Sequence, residues 1–245
     1  MTSRRFDHAL LLAGFLAIWQ VLHWAAGADV VSSPWATIAR AVELLGAPAF
    51  WGHVRATLAA FALASVISIA GGIALGLWLG LRHFAGDVAD PILGTLYSIP
   101  KITLYPIILL MFGLGVSAKV AFGVIHGVFP IAIFTMNAVR NVAPVFRRTA
   151  LVMRLSPVTT AATVMAPAAL PEILAGIRVG VALTLLGTLI GELFAATSGL
   201  GFALIRAMDV HAVVDILAIT LLLFCFAACV NASLRLVERR ARHGG

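Results

Sequence analysis

The sequence predicts an all-α, polytopic membrane protein of about six helical spans, and three observations carry that prediction. Of 245 residues, 62% are hydrophobic and only 11% charged, whereas a soluble domain carries about a quarter charged. Several apolar runs reach or approach the ~20 residues that carry a helix across a bilayer core. No stretch alternates apolar and polar residues with a period of two, which sets a β-barrel aside.

The runs place spans at about 8–26, 54–81, 91–112, 119–139, 171–195 and 213–236. The first follows "RRFDH" and precedes "AAGAD", as a signal peptide would, but its apolar run is long and holds Trp19 and Trp24, so it reads as a span. After it, "SSPWATIARAVELLG" combines a Ser-Ser-Pro start signal with helical apolar spacing and predicts a short amphipathic helix on the outer face. Residues 1–53 thus form an N-terminal span with an external helix. Residues 54–236 form the core, with an unusual inner segment at about 140–171, and 237–245 form a basic tail.

The formal net charge of +7 could suggest nucleic acid. In a membrane protein it reads instead as the collection of Arg and Lys in cytoplasmic loops. With the N-terminus inside, the inner segments hold Arg4, Arg5, Arg82, Arg140, Arg147, Arg148, Arg154, Arg235, Arg239, Arg240 and Arg242, against Arg40, Arg55, Lys119 and Arg206 outside. Both termini are therefore expected in the cytoplasm of a multi-pass protein bathed in lipid. Trp24, Trp35 and Trp51 then fall at the outer interface and Trp78 at the inner one. Small residues recur every fourth position at Gly72, Gly76 and Gly80, at Gly123 and Gly127, at Gly176 and Gly180, and at Gly187 and Gly191, which predicts closely packed helices. Cys225 and Cys229 share one late helix and read as small packing residues, and no Cys/His cluster suggests a metal.

The inner segment "NVAPVFRRTALVMRLSPVTTAATVMAPAALP" is the most basic stretch between spans. Pro144 opens a helix with Phe146, Ala150 and Met153 on one stripe. Ser156-Pro157 supplies a cap and first-turn proline for a second helix, Pro167 ends it, and Pro171-Glu172 starts the fifth span. A compact, basic two-helix knob results, readable either as a protein-docking element or as a plain positive-inside loop. A DNA-reading helix-turn-helix is excluded by the flanking spans and the few polar side chains on offer.

In the third span Tyr97, Lys101 and Tyr105 recur every fourth residue and so share a helix face. Counting from Pro91 puts Lys101 ~15 Å deep. There a lysine costs a few kcal/mol and needs a cavity, a partner or a snorkelling route. Pro91, Pro100 and Pro106 should kink the helix. This face either lines a pathway for an anion or is a structural kink. Glu192, by depth, lies near the outer surface, at the mouth of such a pathway or capping "TSGLG", and too far from Lys101 to pair with it. His126 reads as a packed, hydrogen-bonded residue and Arg178 as snorkelling to the inner surface.

The knob resembles the cytoplasmic coupling loop of bacterial ABC importer permeases, whose pattern runs Glu-Ala-Ala, then Gly, then Ile-any-Leu-Pro. Anchored on Pro167, the matching positions are Arg148, Thr149, Ala150, Arg154, Val164 and Ala166, of which Ala150 and Pro167 match and Val164 is a mild substitution. "LYSIPKITLYPIILLMFGLG", "LPEILAGIRVGVALTLLGTLIGELFAATSGLGFAL" and "VVSSPWATIARAVELL" are similar to segments of the nitrate/sulfonate/taurine subgroup, and the likeness spans about residues 28–236. The resemblance implies a type I permease bundle. It also implies a coupling loop formed by Phe146, Arg147, Arg148, Thr149, Ala150, Met153, Arg154, Ser156, Pro157 and Pro167. Its partners would be an ATPase subunit, an external solute-binding protein and a second permease chain, identical or not. Arg148 and Arg154 stand where the pattern has an acidic residue and a glycine, and Ser156-Pro157 is expected to supply the break instead.

No G-x-x-x-x-G-K-[ST] loop occurs, so ATP hydrolysis is expected on a separate polypeptide, and no cofactor is implied. The solute class implied is a small anion or a heterocyclic precursor. The alternative is an ion-gradient-driven carrier, which would favour inverted repeats and acidic residues at mid-membrane. An intramembrane enzyme would need a nucleophile–base or metal constellation, and none is visible.

Overall fold

The computed structural model describes residues 2–243. In order, these form α1 (Thr2–Ala26), α2 (Pro34–Gly46), α3 (Pro48–Leu81), α4 (His83–Ser98), a 3-10 turn (Lys101–Leu104), α5 (Tyr105–Phe112) and α6 (Val116–Arg140). Then come α7 (Pro144–Val152), α8 (Pro157–Thr160), a π turn (Ala161–Met165), α9 (Ala166–Ala195), α10 (Leu200–Asp209) and α11 (Val213–His243).

The core is a three-helix slab with α6 in the middle, where Phe122, Ile131, Ala132 and Met136 have no exposed surface. Its fit follows from the glycine rows. Gly72, Gly76 and Gly80 of α3 face Ile131, Thr135 and Val139 of α6, stepping by four on both helices, so α3 and α6 run parallel in register. A Cβ on Gly76 would lie 2.5 Å from Thr135 Cβ and 2.6 Å from the Ala132 carbonyl, so only glycine lets the backbones approach this closely. On the other side α9 runs antiparallel, with Gly191 against Lys119, Gly187 against Phe122 and His126, and Gly176 against Phe134. Two buried hydroxyls of α9 bond back along their own helix. Thr184 donates to Gly180 O at 2.9 Å and Thr188 to Thr184 O at 2.9 Å, so neither leaves its proton unpaired in an apolar interior.

The parallel register fixes the topology between them. A chain leaving α3 at Arg82 must return across the slab before α6 starts at Val116, so the segment 83–112 makes a full pass. It does so as two helices bent by 85°, not as the single kinked helix expected at 91–112. The cause is local. Pro100 denies Ile99 the helical region, and Ile99 is extended at ψ 133°. Pro91, expected to open this span, lies inside α4.

Among the described residues four helices are long and apolar enough to span, within Pro48–Leu81, Val116–Arg140, Thr163–Phe194 and Val213–Leu236. The bent pair is a fifth pass. The apolar part of α1 among the described residues, Leu10–Ala26, is shorter than these. The fifth predicted span begins earlier than Pro171: α8 runs through the π turn into α9, and Pro171 sits within α9. Pro167, expected to end the preceding helix, does not end it: the helical run continues from the π turn through Pro167 into α9.

Ser33 caps α2 by accepting from Ala36 N at 3.2 Å, as the Ser-Ser-Pro signal indicates. Arg40 then ties α2 to α11, donating to Asp215 at 2.5 Å, and reaches Glu43 at 2.9 Å. These two carboxylates raise the guanidinium pKa above its ordinary value. Trp19 donates to Ser32 O at 3.0 Å, fastening α1 to the same corner. Cys225 and Cys229 are exposed on α11 rather than packed inside.

Candidate functional site

The segment from Pro144 onward forms the expected knob, and its polarity is unusual. Val145, Phe146, Val152 and Met153 are 60%, 45%, 84% and 63% exposed. Ala150, expected on one stripe with Phe146 and Met153, instead turns inward at 3% exposure. It borders an apolar cavity of about 710 Å³ shared with Leu81, Val142, Leu155, Met165 and Ile173. α7 thus has a small inward face and a large apolar outward one flanked by Arg148. The side chains of Arg147 and Pro157 lie outside the described set. Thr149 donates back to Val145 O at 3.0 Å, and Pro167 is exposed.

The turn after α7 is made by Arg154 itself. Its φ is +53°, the left-handed region that favours glycine. Leu155 N reaches back to Ala150 O at 3.0 Å, closing the helix end. The break expected from Ser156-Pro157 is therefore set two residues earlier. Ser156 caps α8 as expected, accepting from Thr159 N at 3.1 Å.

Of the residues expected on a pathway face, Tyr97 and Tyr105 do not share a helix face, because the break at Ile99-Pro100 separates them. Lys101, the first residue after that break, donates to Tyr97 O at 2.8 Å, and its ammonium lies 5.1 Å from the Tyr97 ring centroid. This pairing satisfies a lysine in an otherwise apolar segment. Tyr105 OH donates to Phe194 O, joining α5 to the end of α9.

Glu192, expected near the outer surface, is wholly enclosed. Its carboxylate accepts from Thr57 Oγ1 at 2.8 Å, Gly201 N at 3.0 Å and Lys119 Nζ at 3.2 Å. Lys119, counted above among outer loop cations, is itself 1% exposed and also donates to Ser198 O at 2.9 Å. Leu200 N donates to Thr57 Oγ1 at 2.8 Å, and Gly199 N donates to His53 Nδ1 at 3.2 Å. One network from α3, α6 and α9 therefore holds the turn 196–201. Of the two roles considered for Glu192, it fills the capping one and lines no open mouth. The missed signal was present: Lys119, Gly123 and Gly127 step by four on the face that meets α9. His126 Nδ1 donates to Phe122 O at 2.8 Å and is packed as expected.

A glycine-seamed bundle of spans with a basic helical element projecting between the third and fourth core passes is a transmembrane permease. Residues 72–243 match the binding-protein-dependent transport system inner membrane component family, and the chain belongs to that family. It is 27% identical over 190 residues to the taurine transport system permease protein TauC of Escherichia coli K12, covering 78% of this chain and 69% of TauC. It is 27% identical over 233 residues to SsuC of Bacillus subtilis 168, described as a putative aliphatic sulfonates transport permease, covering 94% and 84% of the two chains. Its fold is shared with a chain of the inward-facing MetNI methionine ABC transporter, at a TM-score of 0.68 and 18% identity, over 79% of this chain and 98% of the other. The protein is a permease subunit of an ABC importer, which sets the ion-gradient-driven carrier aside.

Proposed function

We propose that this permease imports a small solute bearing a sulfonate-like oxyanion, and that the element at about 140–171 receives the driving force from a separate ATPase subunit. The observation that carries the coupling role is the outward apolar surface of α7. Phe146, Val152 and Met153 stand exposed beside Arg148 and Arg154, a composition that a solvated loop does not need and a protein interface does. The solute class rests on the taurine and sulfonate relatives and on Lys101 beside Tyr97, a cation held in a spanning segment where it lowers the barrier for an anion.

In this mechanism two permease chains, identical or different, face each other around a pathway bordered by Tyr97, Lys101 and Tyr105. An external binding protein delivers the solute. Nucleotide binding and release on the ATPases bias two states of the pair, and the knob is where that bias enters. Both termini and the knob then lie in the cytoplasm.

Co-purification with the cognate ATPase tests the coupling role. Phe146→Asp combined with Met153→Asp should abolish capture while the permease stays folded, and full retention of the ATPase would overturn the assignment. For the pathway face, solute uptake should fall in Lys101→Met, and unchanged uptake would remove Lys101 from the pathway.

A further inference from the structure

Between α4, α9 and α11, at the end of the bundle that carries the knob, lies a second cleft of about 400 Å³. It is bordered by Tyr97, Arg178, Ala182, Leu183, Asn231 and Arg235. Unlike the cavity under α7, it has polar residues on each of the three helices that border it: Tyr97 on α4, Arg178 on α9, and Asn231 and Arg235 on α11. The space is large enough for a small ion or headgroup.

The charges there do not balance. Arg178 Nε lies 3.5 Å from Glu238 Oε2, long for a charge-assisted bond. Arg235 Nε makes a 3.4 Å contact with the Asn231 carbonyl of its own helix, and no described carboxylate forms a salt bridge with it. Lys101 Nζ, bonded to the Tyr97 carbonyl, lies 5.1 Å from the Tyr97 ring centroid. For the two arginines that border the cleft, one described carboxylate forms a salt bridge, Glu238 with Arg178. Snorkelling alone would send each arginine separately toward headgroups. Here Arg178 of α9 and Arg235 of α11 border one cleft.

We propose that this cleft binds an oxyanion, with Arg178 and Arg235 supplying the forked donors and Asn231 and Tyr97 the neutral ones. Guanidinium geometry matches sulfonate and phosphate oxygens, and a cation excess within a membrane protein is stabilised by a resident counter-anion. The oxyanion comes either from the solute on its way through or from the phosphodiester of a lipid in the adjoining leaflet. The chemistry of the site is the same in both cases. The inference stands whether or not Lys101 borders the pathway.

The test uses the full-length permease in two kinds of nanodisc. In phosphatidylcholine discs, binding of radiolabelled taurine is measured, with inorganic phosphate as competitor. In mixed phosphatidylcholine–phosphatidylglycerol discs, retained phosphatidylglycerol is counted by mass spectrometry. Wild type should hold one probe, and Arg178→Gln with Arg235→Gln should weaken it by about tenfold or more. Arg235→Lys, which keeps the charge and loses the fork, should fall between, and it serves as the folding-safe variant if the double is unstable. Arg206→Gln, on α10 at the opposite end, should bind as wild type. A loss in the taurine arm assigns the solute, and a loss in the phosphatidylglycerol arm assigns the lipid. Absence of both probes from wild type, or equal binding by wild type and the charge-deleted variant, overturns the proposal. ATPase capture is unaffected by these substitutions, so failure here is distinguishable from failure of the coupling role.

Discussion

At one end of α6, Lys119 is enclosed with Glu192, and the two charges pair. At the other, beyond Arg140, apolar side chains and arginines stand in the open, and an arginine occupies a backbone conformation suited to glycine. Both ends belong to the same two helices, α6 and α9, joined through one glycine seam. The difference shows where the chain invests its interactions. The Lys119 end is closed on itself and holds the turn 196–201 in one arrangement. The knob end leaves apolar surface uncovered, as the proposed docking role requires.

Substitutions at the closed end should have the largest effects. Lys119→Met strands a buried carboxylate and should cost ~3–5 kcal/mol, read as a large fall in Tm in detergent. Pairing it with Glu192→Leu should recover much of that loss, since apolar replacement of a whole buried pair is often neutral; no recovery would mean that the turn itself depends on the carboxylate. Next comes the seam. Gly76→Leu must push apart α3 and α6, and overpacking of this kind costs ~1–3 kcal/mol, or more where backbone blocks it. At the knob the sign reverses: Arg154→Gly removes left-handed strain and should stabilise by ~1 kcal/mol, with the knob retained. A loss of stability on that change would show that the Arg154 side chain matters more than its backbone. The smallest effect belongs to Arg40→Ala. Its ion pairs with Asp215 and Glu43 are partly exposed, so it should cost under ~1 kcal/mol and less still in high salt.

Much of the bundle was legible because local rules and packing agree there. The glycine rows at 72–80, 123–127 and 176–191 marked the helix faces that meet, and Ser33 marked the start of α2. The knob was legible as two helices from its prolines and Ser156. Three features were hidden, each for a physical reason. The third span breaks by 85° because the effect of Pro100 on Ile99 is not resisted by packing, which hydropathy does not register. Lys119 looked like a loop cation because it lies at the edge of an apolar run, and its partner is 73 positions away. The π turn leaves no mark in composition, since Ala161–Met165 is ordinary helical sequence.

That π turn sets an angular phase. A π turn holds more residues than an α turn, and each residue of an α-helix advances the chain by about 100°. Everything on the α7–α8 side of Ala161–Met165 is therefore clocked relative to the face that α9 presents to α6. Deleting a single residue there would let the helix relax to α geometry. The docking surface would then swing by about that angle while every side chain in it kept its identity. On the proposed coupling role, the direction in which a pull on the knob reaches the membrane is encoded in the number of residues between Thr160 and Ala166 rather than in any one of them.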